Sequence, residues 1–133
     1  MKFRDLENGT PVDWLSEDKP SYLTEWYLSV RDIHLSQLGV GDVCRAIRQD
    51  LFVREVLPVA IALLNDDVLA GERYDGELVA ALSGLSFRYW QENESAAYQA
   101  ACALAEVEKL SNDTDLLRDV STLAKVLGDA SKL

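Results

Sequence analysis

Leu116-Leu117-Arg118-Asp119-Val120-Ser121-Thr122-Leu123-Ala124-Lys125-Val126-Leu127-Gly128 is the stretch that decides the fold class. Its apolar residues, Leu116, Leu117, Val120, Leu123, Ala124 and Leu127, recur at the spacing that lays one stripe along an α-helix. Ser111-Asn112-Asp113-Thr114 supplies the side-chain oxygens that cap a helix start, and Gly128 is read as the helix end. Immediately upstream, Ala96, Ala97, Ala100, Ala101, Ala103 and Ala105 place six alanines in ten residues. Alanine is the strongest helix former and permits close helix–helix approach. Leu104, Val107 and Leu110 continue the inward face of this second helix, which is expected to begin near Glu92.

The same period extends toward the N-terminus. Glu77 to Leu85 reads as a short helix carrying Leu78, Val79, Ala81, Leu82 and Leu85, with Gly84 and Ser86 breaking the chain before Phe87-Arg88-Tyr89-Trp90. Phe52 to Leu64 is apolar nearly all round and is expected to be the buried central helix, kinked or divided in two at Pro58. A further helix is expected from near Asp42, after the Gly39–Gly41 turn, and another from Ser21 to about Ile33. In that last helix Trp26 is expected to pack into the core, and Tyr22 and Tyr27 to sit closer to the surface. Residues 1–19 read as a polar N-terminal arm: Gly9-Thr10-Pro11 marks a turn, Val12 to Leu15 one helical turn, and Trp14 the pin to the body. No stretch alternates with period two. The expectation is an all-α fold, one domain over residues 1–133, with six or seven helices.

Charge narrows the partners. The chain has 133 residues, with 13 Lys+Arg against 23 Asp+Glu, a formal net charge of −10. Such a chain is repelled by phosphate backbones and anionic lipid surfaces and attracted to basic proteins. Nucleic acid and membrane are therefore not expected partners. The longest apolar run, Val56 to Leu64, is too short to span a bilayer, and the N-terminal residues carry no secretory pattern, so a cytoplasmic location is expected. Cys44 and Cys102 stand apart without metal-ligand spacing and read as reduced, buried small hydrophobes.

No catalytic constellation is visible. His34 is the only histidine and has no nucleophile or carboxylate at motif spacing; Gly39-Val40-Gly41 lacks the residues of a phosphate loop. Acidic residues cluster instead: Asp66, Asp67, Glu72, Asp75 and Glu77 fall within twelve residues, with Arg73 the sole cation among them. The order of a calcium loop is missing, so neither metal nor cofactor is assigned. Two readings stay open, a solvated acidic loop and an acidic docking surface for a basic partner. Glu92 and Glu94 beside Tyr89 and Trp90 combine charge and aromatic character as an interface rim does, or simply complement a helix N-terminus.

Three segments carry a resemblance. Leu38-Gly39-Val40-Gly41-Asp42-Val43-Cys44-Arg45-Ala46-Ile47-Arg48-Gln49, then Val56-Leu57-Pro58-Val59-Ala60, then Asp67-Val68-Leu69-Ala70-Gly71-Glu72-Arg73-Tyr74-Asp75-Gly76-Glu77-Leu78 resemble the immunity proteins of bacterial contact-dependent growth inhibition (CDI) systems. The resemblance covers roughly residues 35–85. It implies an all-helical, non-enzymatic cytoplasmic protein that binds and neutralises the toxin domain delivered by a neighbouring cell. Many such toxins are nucleases with basic clefts, which an acidic immunity protein would cover as a stoichiometric complex. On this reading Gln49, Pro58, Gly71, Tyr74, Gly76 and Leu78 are structural motif positions. The candidate toxin-binding residues are Asp66, Asp67, Glu72, Asp75 and Glu77, with Tyr74, Trp90 and Glu94 as secondary candidates. A small acidic helical adaptor for another basic protein is the alternative, and a carboxylate-dependent metal hydrolase the third reading.

Overall fold

Ser21 opens the first long helix by accepting a hydrogen bond from Thr24 N at 3.2 Å, a side-chain cap for an otherwise orphaned amide. The computed structural model describes residues 1–7 and 21–131 and divides them between two units, residues 1–39 and 40–133. The turn read at Val12–Leu15 and the packing of Trp14 lie outside the described residues.

The first unit contains α1 (Phe3–Leu6), α2 (Tyr22–Val30) and a 3-10 turn at Leu35–Gln37. Its first residues are more than a polar arm, because Phe3 is fully buried with its ring 5.5 Å from that of Tyr27. Tyr27, rather than Trp26, is the deeply buried aromatic of α2; Trp26 is half-buried. Tyr27 can enter the core because its hydroxyl donates to Glu7 Oε2 at 2.8 Å. Arg31 also pairs with Glu7, through Nε at 2.7 Å and through Nη2. Arg4 and Asp32 form a second, exposed two-point pair at 2.6 and 2.8 Å. An isolated antiparallel bridge joins Lys2 and His34. α2 ends at Val30, three residues before the expected Ile33, which is exposed.

The second unit contains α3 (Val40–Arg48), α4 (Val53–Asp66), α5 (Glu77–Ser83), α6 (Phe87–Glu92), α7 (Glu94–Leu110) and α8 (Thr114–Ser131). The fold is all-α, with eight α-helices among the described residues. α8 packs against α5, α6 and α7, while α4 packs against α3, α5 and α7. Val56, Leu57, Ala60, Leu64, Leu78, Leu82, Val120 and Leu123 fill the space between them and are essentially inaccessible. α4 runs unbroken past Pro58, whose exposed ring faces away from that core. The α3–α4 connection places two non-glycine residues in the left-handed region, Asp50 (φ 54°) and Phe52 (φ 46°). Asp50 is held by the Tyr89 hydroxyl at 2.6 Å, and this bond, with partial burial, pushes the Tyr89 pKa up to about 12. α8 continues through Gly128 to Ser131, so Gly128 is an interior helical residue.

Among the described residues no helix is long and apolar enough to cross a membrane. Both cysteines are free thiols. Cys44 is buried, as expected, but Cys102 is exposed on α7, which corrects its reading as a core residue. The α7 face carrying position 102 turns outward, because Ala100, Ala103, Leu104 and Val107 supply the buried stripe.

Candidate functional site

The acidic residues gather on one ordered turn between α4 and α5. Asp67 begins it, its Oδ1 accepting from Leu69 N at 3.0 Å and its carbonyl from Ala70 N at 3.0 Å. The base is closed by Gly76 N donating to Leu69 O at 2.8 Å and Leu78 N to Ala70 O at 3.0 Å. Two glycines are sterically required. A Cβ on Gly71 would lie 2.0 Å from Tyr74 O, and Gly76 adopts φ +87° with Leu116 Cδ1 2.5 Å from where its Cβ would be.

Glu77 holds the turn from within. Its side chain is only 2% exposed. Oε1 accepts from Glu72 N at 2.9 Å and Arg73 N at 3.2 Å, while Oε2 accepts from Arg48 Nη1 at 3.0 Å. Burial alone would push the carboxyl pKa up. The two amides and the Arg48 guanidinium outweigh it and hold the pKa below its ordinary value. Arg48 Nη2 also donates to the Tyr74 hydroxyl at 3.4 Å, tying α3 to the tip of the turn.

The candidate residues therefore separate into two groups. Asp66, Asp67, Glu72 and Asp75 are exposed, and Tyr74 is 52% exposed beside them. Arg73 is the only cation of this segment. Glu72 lies over the start of α3, its carboxylate occupying the space where a Gly41 side chain would be. Glu77 is not available to a partner, because its carboxylate is committed to the turn. The sequence could not separate it from its neighbours: its partners are backbone amides and an arginine 29 residues away.

Trp90 is likewise interior, at 1% exposure, and its Nε1 has no hydrogen-bond partner among the described residues. It is no rim residue: α7 and α8 close over α6 and cover its ring. Trp90 and the exposed Glu94 border a groove of about 950 Å³ between α6, α7 and α8. The last turn of α4 meets α7 where Asn65 Nδ2 donates to Gln99 Oε1 at 2.7 Å. The neighbouring pair Arg54–Glu92, at 2.6 and 2.9 Å with Arg54 over the Tyr89 ring, consumes the other acid of that region. Among the described residues no group of three or more His, Cys, Asp or Glu side chains is placed to hold a metal ion.

Compared with known proteins, residues 9–100, more than half of the chain, match a family model described as CDI immunity proteins. No curated protein matches the chain.

Proposed function

The chain belongs to the family of CDI immunity proteins, and from that premise we propose that it silences a nuclease toxin by covering the basic active-site cleft with its acidic turn. Neutralisation of a CDI toxin is the general role of the family; the toxin's chemistry and the docking surface are our reading. One observation carries it. Four exposed carboxylates, Asp66, Asp67, Glu72 and Asp75, project from a turn whose backbone is braced by the buried Glu77 and by Arg48. A cleft that binds phosphates must be basic, and a fixed array of carboxylates is the complementary surface. Because the turn is already ordered, docking would lose little backbone entropy. The charges then raise the encounter rate, and close contact around Tyr74 slows escape.

The test is co-expression with the cognate toxin domain, scored by cell survival, together with a nuclease titration. Inhibition should be complete at one immunity chain per toxin. Replacing the four exposed acids (Asp66→Asn, Asp67→Asn, Glu72→Gln, Asp75→Asn) should slow association by roughly tenfold or more at low salt and flatten its salt dependence. Unchanged association and salt slope would exclude this turn as the docking surface. Asn at position 67 retains the oxygen that accepts from Leu69 N, so the quadruple variant should keep the turn.

A further inference from the structure

We infer that the groove between α7 and α8 receives a helix of the toxin, about four turns long, apolar along one side and carrying a lysine or arginine near each end. The inference rests on the toxin-binding reading above and adds a second contact on the same partner.

Glu94, Ala97, Ala101, Ala105 and Glu108 follow one another at three- and four-residue steps along α7 and line the groove from end to end. α8 contributes Ala124, Leu127 and Gly128 to the opposite wall. Small side chains facing each other across a groove leave room for a third helix to approach closely, since interaxial distance is set by the residues at the contact. The Gly128 position underlines this room: a Cβ there would meet nothing within 4 Å. Tyr98, 72% exposed, also borders the groove and presents an aromatic face to whatever enters.

Charge selects the occupant. Glu94 and Glu108 stand fourteen residues apart, about 21 Å along the helix axis at ~1.5 Å per residue, and among the described residues no cation lines the groove. A second copy of this chain would bring a −10 surface and its own Glu94 and Glu108 to the same place, and like charges repel it. A helix with basic ends about four turns apart matches both carboxylates. Trp90 stands in the groove wall with its indole N–H buried and without a hydrogen-bond partner among the described residues, so it reports on what packs against that wall. Such a buried donor costs ~1–3 kcal/mol while unsatisfied. α4, which ends where the acidic turn begins, is tied to α7 through Asn65 and Gln99.

The experiment measures association and dissociation of the full chain with the toxin domain for three folded variants: Ala101→Trp and Gly128→Leu, which fill the groove, and Glu94→Gln/Glu108→Lys on its exposed ends. Circular dichroism confirms helicity first; the charge variant, altering only exposed side chains, covers the case where a bulky residue disturbs packing. Each should raise the dissociation rate by roughly tenfold or more, with association changed much less than by the acidic-turn variants, as expected for loss of a short-range anchor. The chain has three tryptophans, so the Trp90 indole N–H is readily assigned by NMR, and its resonance should move when the toxin binds. Unchanged dissociation for all three variants, or an unmoved Trp90 resonance in the complex, overturns the inference. A self-associated chain that Gly128→Leu converts to monomer overturns it in favour of a second copy. If the wild-type chain fails to bind the toxin, both readings fall; if it binds and only the groove variants are silent, the groove inference falls alone.

Discussion

Replacing Glu77 by Ala should unfold the acidic turn from within, and the size of the effect follows from its bonds. The side chain accepts three hydrogen bonds, at 2.9, 3.2 and 3.0 Å, from the Glu72 and Arg73 amides and from Arg48. Hydrogen bonds to charged groups contribute ~1.5–3 kcal/mol each, and breaking a fully buried ion pair costs ~3–5 kcal/mol. Arg48 is 37% exposed and the two amides belong to exposed residues, so water recovers part of the loss. The expected cost is therefore roughly 2–4 kcal/mol, a fall in Tm of about 8–16 °C for a chain of this length. Glu77→Gln keeps an oxygen for the amides and should lose only about 1–2 kcal/mol. Urea and thermal unfolding followed by far-ultraviolet circular dichroism measure both. The pH dependence gives a second readout with a definite sign. The folded carboxyl pKa lies below its ordinary value of 4.5, so its stabilisation is complete above that pH and disappears as pH falls through the folded pKa. The gap between wild type and Glu77→Ala should thus be widest near neutrality and shrink below pH 4.5. A Tm within 2 °C of wild type, or a gap that persists undiminished into acid, would refute the assignment of Glu77 as the brace.

Other positions give sharper contrasts. Gly76→Ala must place a side chain at φ +87° and within 2.5 Å of Leu116 Cδ1, and should cost roughly 2–4 kcal/mol in denaturant unfolding. Gly128→Ala, in the last turn of α8 with open space at its Cβ, should instead raise stability, by at most ~0.5–1 kcal/mol. Ellman's reagent should titrate one thiol in the native chain and two in guanidinium: Cys102 is exposed, whereas burial shields Cys44 and pushes its pKa up to about 12.

The helices were legible because burial repeats with their period: Leu116, Val120, Leu123 and Leu127 are buried on α8, as their spacing predicts. What escaped the sequence were choices made by distant partners. Trp26 and Tyr27 lie on adjacent positions of one stripe, and Tyr27 is taken inside because Glu7, twenty residues away, receives its hydroxyl. Glu77 reads like any acid of its cluster until Arg48 and the turn amides are in place. Trp90, beside two glutamates, has the composition of a rim, yet α7 and α8 bury it. Cys102 shows the converse, a residue type usually interior that falls on the outer face of an alanine helix. Gly128 follows the same logic: a glycine ends a helix where the chain must turn, and here α8 simply continues. The acidic turn itself was visible as composition, and Gly76 as a special backbone angle; Gly71 is required instead by the close approach of Tyr74 O. The groove was not, because its walls come from three helices whose arrangement no local pattern specifies.

The brace beneath the acidic turn also divides the labour of change. Gly71, Gly76 and Glu77 are constrained from several sides, so substitution there is felt by the whole unit. Asp66, Arg73 and Asp75 face water, where replacement commonly shifts stability by less than ~0.5 kcal/mol. A lineage carrying this frame can therefore redraw the outer face of the turn, one side chain at a time, while the scaffold beneath stays as it is; if that face is the docking surface proposed above, this is the freedom needed to follow a changing toxin.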